Sequence, residues 1–242
     1  MKEDEWLTWN HTPRLMLGQR GVRNRRKRQL VAAAGCRLVW DRFRNPAAIA
    51  LIDALERYTD DRVADHIWNE TRARVEAEIT ADQDAVQRAE RPGLDGTLQA
   101  VAAAAHDDAV AGVDRAVDWL ESTVRQSSRG WREQQAALAV FRRQVSDIIR
   151  EIFGNPFRPW KVVPDFLGGG LVQPDGATVR LTTTARELAR GIAHDQAFDR
   201  LPILADALEE AGVTDIALLA HCRSGGPHAR GCWAVDLVLG KV

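Results

Sequence analysis

From residue 24 to residue 153 apolar side chains return every three to four positions, the spacing of helices that bury one face. Asn24 suits the N-cap of a first long helix carrying Leu30, Val31, Ala34, Leu38 and Val39, which ends before Pro46. A second covers roughly Pro46 to Tyr58, with proline at the position where a missing N–H costs nothing. Asp60 or Asp61 is placed to cap a third, whose stripe is Val63, Ile67, Val75, Ile79 and Val86. The pattern predicts a fourth helix from about Thr97 to Gln126. A fifth, capped by Ser127 or Ser128, carries Trp131, Leu138, Phe141, Val145, Ile148, Ile149 and Ile152 and stops at Gly154. Three long helices joined by short breaks imply an antiparallel bundle. Residues 1–22, with Pro13, Gly18 and Gly21, read as a short helical or irregular lead-in.

The pattern changes at Asn155. NPFRPW and VVPDFLGGG hold three prolines and three adjacent glycines, the composition of a linker. LVQPDGATVRL places two short apolar runs around Pro174-Asp175-Gly176, a hairpin signal, and strand is expected only at about 171–181. Thr184 and Glu187 have capping-box spacing for the next helix. Another runs from Leu201 or Pro202 to Ala211, and Thr214 is placed to cap a short one reaching His221 or Cys222. CWAVDLVLG fits a buried helix or strand, with helix favoured by its helical neighbours. The expected fold is mainly α: a helical bundle at 1–154, a linker and β-hairpin insertion at 155–183, and a C-terminal helical subdomain at 184–242 packed on the bundle.

Composition narrows the function class. Hydrophobic residues make up 45% and charged residues 28%, enough for a core and for solubility. The net charge of −1 argues against wholesale attraction to nucleic acid or anionic lipid. Arg20, Arg23, Arg25, Arg26, Lys27 and Arg28 nevertheless form a local basic cluster, with Trp40 and Phe43 further along the same helix. It reads as a solvated helix start or, alternatively, as a phosphate or nucleic-acid grip. The expectation is no strong, salt-sensitive duplex binding, because 34 acidic residues offset it. No run approaches the ~18 apolar residues of a membrane span. MKEDEWLTWN is acidic and lacks the apolar core of a signal peptide, which predicts a cytoplasmic, reducing location. There, three cysteines are expected free or metal-bound rather than paired.

The densest chemistry lies in HCRSGGPHARGCW at 221–233, with two of the six histidines and two of the three cysteines around a Gly-Gly-Pro turn. Cys222, His228 and Cys232 offer two thiolates and an imidazole, a set that suits zinc, with Cys36 or alternatively His221 as fourth ligand. The competing reading is a buried pair of cysteines beside an Arg/His-rich loop. His106-Asp107, with His66 upstream and Asp147 downstream, has the order of metal-dependent phosphohydrolase helices, although Asp107 points about 100° away from His106. Gly168-Gly169-Gly170 lacks the Lys-Ser/Thr of a phosphate loop and reads as a joint. His221 beside Cys222 is a poor nucleophile–base pair, since adjacent residues do not aim at one point.

IFGNPFRP at 152–159, AFDRLPILADALEEAG at 197–212 and LLAHCRSGGPHARGCWAVDLVLGK at 218–241 resemble a family of uncharacterised bacterial proteins. EWL at 5–7 and the RKRQL…GCRLVW segment at 26–40 are similar to that family's opening. The resemblance implies no particular activity. Two readings therefore stand: a non-enzymatic helical interaction module binding a protein partner, with a structural zinc at the 221–233 turn, and a metal-dependent hydrolase or nucleic-acid-acting enzyme using His66, His106 and Asp147. The first is favoured.

Overall fold

The computed structural model describes residues 1–19, 21–60, 63–88, 90, 93–127, 129–164 and 169–241. Helix accounts for 67% of the chain, so the protein is mainly α. After a short N-terminal helix, α1 (Glu3–Thr8), the chain divides into two compact units: Met1 with Thr8–Ile149, and Lys2–Leu7 with Arg150 onward.

The first unit holds α2 (Pro13–Leu17), α3 (Arg25–Leu38), α4 (Pro46–Tyr58), α5 (Asp65–Gln87), α6 (Gly96–Ala104), α7 (Ala109–Gln126) and most of α8 (Trp131–Phe153). Asn24 caps α3 by accepting from the Lys27 amide, as expected from the sequence. The small side chains Ala32, Ala33 and Gly35 let α4, α6 and α7 pack around α3, burying Leu30, Val31 and Cys36. The helix expected over 97–126 is two helices. Asp108 breaks it, accepting from the Val110 and Ala111 amides at 3.0 and 3.2 Å, a cap worth about 1 kcal/mol. The pair folds back tightly, because a Cβ at Gly112 would lie 2.6 Å from the Ala103 carbonyl oxygen. Alanine-rich spacing continues across the break, which hides it from periodicity.

Several caps also differ from expectation. Asp60 accepts from Arg26 at 2.8 and 3.1 Å, and α5 begins behind Ala64 with no side-chain cap. Asp61 and Ser128 lie outside the described residues, and Ser127 closes α7 rather than opening α8.

In the second unit the expected hairpin is present as β2 (Gly170–Val172) and β3 (Thr178–Val179). A third strand, β1 (Lys161–Val163), pairs antiparallel with β2, so strand extends beyond 171–181. Its three residues sit between prolines and show no alternation long enough to read. Leu171 faces Val179 across the sheet, and both are buried against α9 (Thr183–Asp195) and α10 (Leu201–Glu210). Ile192, Leu204 and Leu208 are fully buried there. Each such side chain contributes about 1.5–3 kcal/mol. Thr182, not Thr184, caps α9, accepting from the Ala185 amide at 3.1 Å. Asp215, not Thr214, caps α11 (Ile216–Arg223), while Gln173 Oε1 accepts from the Thr214 and Asp215 amides and ties the hairpin to that helix start. Of the glycine run, Gly170 opens β2 and Gly168 lies outside the described residues. The final apolar stretch forms α12 (Trp233–Val238), as favoured.

Residues 2–7 belong to this unit through Trp6, which is fully buried. Its indole donates to the Gly154 carbonyl at 3.0 Å, Arg150 donates back to the Trp6 carbonyl at 3.0 Å, and Asn155 donates to Glu3 at 2.6 Å. Gly154 stops α8 at φ 67°, a conformation that a Cβ disfavours.

Candidate metal centre

The last turn of α8 sends Glu151 inward. It stands one turn after Ile148, at the flank of the Val145–Ile148–Ile152 stripe, and its side chain is only 6% exposed. A carboxylate so buried needs charged or hydrogen-bonding partners. The 221–233 segment supplies them. His228 Nδ1 lies 3.2 and 3.3 Å from the two carboxylate oxygens, and His221 Nε2 lies 3.5 Å from Oε2. The Ala229 amide donates to Oε1 at 3.4 Å. His221 Nε2 also lies 3.2 Å from Cys232 Sγ.

Each element places its side chain for a local reason. His221 stands in the last turn of α11, whose inner positions are Leu218, Leu219 and Cys222. The Ser224–Gly231 loop folds back so that His228 Nε2 meets the Ser224 carbonyl at 3.3 Å. Cys232 is the residue from which α12 starts. Trp233 follows, its ring centroid 5.1 Å from that of His221.

Glu151, His221, His228 and Cys232 form a group that could hold a metal ion, their ligand atoms all within 4.8 Å of one another. A tetrahedral zinc site with bonds of about 2.0–2.3 Å needs ligand atoms roughly 3.3–3.8 Å apart. With Glu151 Oε2 as the ligand atom, three contacts of 3.2, 3.3 and 3.5 Å are close to that, while the four atoms together lie within 4.8 Å. One carboxylate and one thiolate also balance a divalent charge, leaving a neutral buried centre with neutral imidazoles. In the tautomer whose Nε2–H donates to the Ser224 carbonyl, 3.3 Å away, His228 Nδ1 is the nitrogen available as a ligand, the usual outer-shell device.

Protonation follows from the same contacts. The Glu151 hydrogen bond holds the His228 imidazolium above its ordinary value, against the effect of burial. Burial pulls His221 down, opposed by Glu151 and reinforced by His228. Burial, then the Glu151 carboxylate, keeps the Cys232 thiol well above the usual thiol range. This is a resting thiol. A Cys–His–carboxylate relay would need the carboxylate and the sulfur on opposite nitrogens of one ring. Both face Nε2 of His221, the arrangement of ligands around a shared point rather than of a relay.

The metal-capable group differs from the ligand set expected from sequence. His228 and Cys232 belong to it, and the alternative ligand His221 takes part. Cys222 does not: one residue past His221, it turns about 100° into the apolar core, where burial pushes its thiol up to about 12. Cys36 belongs to the first unit, buried in α3 with its thiol likewise pushed up to about 12 by burial. The fourth member is Glu151, which sequence reasoning missed. Its signal was a carboxylate set in an apolar helix end, at a stripe flank where periodicity does not separate buried from exposed.

Among the described residues no metal-capable group contains His66, His106 or Asp147. His66 is exposed, His106 Nδ1 accepts from the Asp108 amide, and Asp107 pairs with Arg72 at 3.2 Å. The basic cluster is also not one open face. Arg28 is buried, donating to the Val22 and Leu17 carbonyls that end the α2 turn, and Lys27 is buried beside it. Arg26 is paired with Asp60, and Arg25 lies 3.6 Å from Asp107. Arg23 is exposed, and Arg20 lies outside the described residues.

No protein-family model, no curated protein and no solved structure matches this chain. Among the described residues no helix is long and apolar enough to cross a membrane.

Proposed function

We propose that this protein is a non-enzymatic helical interaction module whose second unit is held together by a structural zinc ion bound by Glu151, His221, His228 and Cys232. The observation that carries the reading is the convergence of four enclosed ligand atoms of zinc-binding types within 4.8 Å. Nitrogen, nitrogen, sulfur and oxygen donors suit zinc better than magnesium or calcium, which take oxygen ligands. Four protein ligands complete a tetrahedron and leave no position for a reacting water, so the ion's role is structural. It ties the end of α8, the end of α11 and the start of α12, elements 70 or more residues apart in sequence at their farthest. The interaction role draws on large apolar side chains left in water on helices: Ile216 at 82% and Ile203 at 55% exposure in the second unit, and Trp131 at 73% on α8.

The test is metal content and thermal stability of the purified chain. One zinc per chain and a melting temperature lowered by a chelator and restored by added zinc are expected, because binding energy at such sites is folding energy. No bound metal after zinc addition, or no chelator effect, overturns the zinc reading. Cobalt substitution separates the structural from the catalytic case: a four-coordinate spectrum unchanged by added azide is expected, whereas an azide-sensitive spectrum reveals an open position and favours the hydrolase.

A further inference from the structure

We infer that metal occupancy of this centre governs the docking of residues 2–7, which act as a metal-responsive strap; the inference rests on the zinc reading above. The last turn of α8 serves both features. Glu151 points into the centre, while its neighbours Arg150 and Gly154 hold Trp6 through hydrogen bonds of 3.0 Å in each direction. Trp233 joins the two physically. It directly follows the ligand Cys232 and lies against the ligand His221. Its indole also presses on Gly154, where an added Cβ would sit 3.0 Å from Trp233 Cδ2. An ion that fixes His221 and Cys232 therefore fixes the Trp233 ring, and that ring sets the position of the Gly154 carbonyl that receives Trp6. Trp6 has no exposed surface when docked, whereas Leu7 beside it is 53% exposed. Undocking exposes the Trp6 indole to solvent. A ligand that binds the docked state more tightly shifts the population toward it, and the coupling is reciprocal.

The experiment uses the full chain in zinc-loaded, chelator-stripped and zinc-restored forms, with hydrogen exchange followed by mass spectrometry. Stripping is expected to speed exchange in residues 2–8 by about 5- to 150-fold, the usual span of such couplings, and added zinc to reverse it, with α10 much less affected. The reverse measurement uses Trp6→Leu, which leaves all four ligands in place. Its zinc affinity, read by competition with a chelating dye, is expected to fall by the same factor. Stoichiometric zinc with unchanged exchange at 2–8, or with unchanged affinity in Trp6→Leu, overturns the strap and leaves the zinc reading standing. Equal loss of protection in α10 and in 2–8 shows that zinc holds the unit as a whole, and also overturns it. Absence of zinc binding removes both readings together.

Discussion

Replacing Glu151 by Gln is the sharpest probe of the centre, because it preserves shape while removing charge. In metal-free protein the carboxylate lies 3.2 Å from His228 Nδ1, accepts from the Ala229 amide, and lies beside His221. A Gln Oε1 still accepts one of these bonds. The loss is then that of a charged hydrogen bond in a buried place, about 1.5–3 kcal/mol. With zinc in excess the wild type gains a further term, about 4 kcal/mol at a thousand times the dissociation constant. The variant loses an anionic ligand and keeps little of that term. The difference between wild type and Glu151→Gln is therefore expected to be larger with zinc than with chelator, by about 2–4 kcal/mol. Urea melts in both conditions measure all four corners of this cycle, and the linear extrapolation resolves differences of that size. An equal difference in the two conditions would show that Glu151 stabilises the fold without touching a metal, and the proposed ligand set would fail.

Gly154→Ala combines a left-handed backbone with a clash on the Trp233 ring and is expected to cost about 2–4 kcal/mol, read as a lower denaturant midpoint; a neutral substitution would refute the tight Gly154–Trp233 packing. Arg28→Ala removes the donors to the Val22 and Leu17 carbonyls and is expected to destabilise by about 1.5–3 kcal/mol, where a surface arginine would cost almost nothing by the same melt. Zinc loading must displace the proton that Glu151 helps hold on His228, and that of the Cys232 thiol, so affinity rises with pH; competition titrations at pH 6 and pH 8 are expected to show weaker binding at pH 6, and equal affinities would exclude both residues as ligands. Duplex DNA is expected to bind only weakly, and submicromolar affinity at physiological salt that is lost on charge reversal at Arg25 and Arg26 would contradict this.

Much of the secondary structure was legible in residue order alone. Stripes such as Val145, Ile148, Ile149 and Ile152 announce a helix because its period is a local property of the backbone. Asn24, Pro46 and Gly154 mark boundaries for equally local reasons: a side-chain acceptor, a dispensable N–H and a permissive φ. The Pro174-Asp175-Gly176 turn located the hairpin in the same way. Local rules failed where several residues competed for one role. Asp60, which suits a cap, is drawn off by Arg26, and Thr182 rather than Thr184 takes the start of α9.

The metal-capable centre divides along the same line. Sequence placed Cys222, His228 and Cys232 together, with Cys36 or alternatively His221 as fourth, because eleven residues around a Gly-Gly-Pro turn bring their ends close under almost any fold. It had no means of choosing between Cys222 and Glu151. That choice depends on rotation: a step of about 100° on α11 sends Cys222 into the apolar core, and the flank of the α8 stripe carries Glu151 toward the loop. Cys36 belongs to the first unit, and periodicity says nothing about which unit a buried thiol joins. Helices and turns follow from near neighbours in the chain. The fourth member of the metal-capable group, 70 residues before His221, and the burial of Lys27 and Arg28 depend on how the helices pack, and tertiary structure alone decided both.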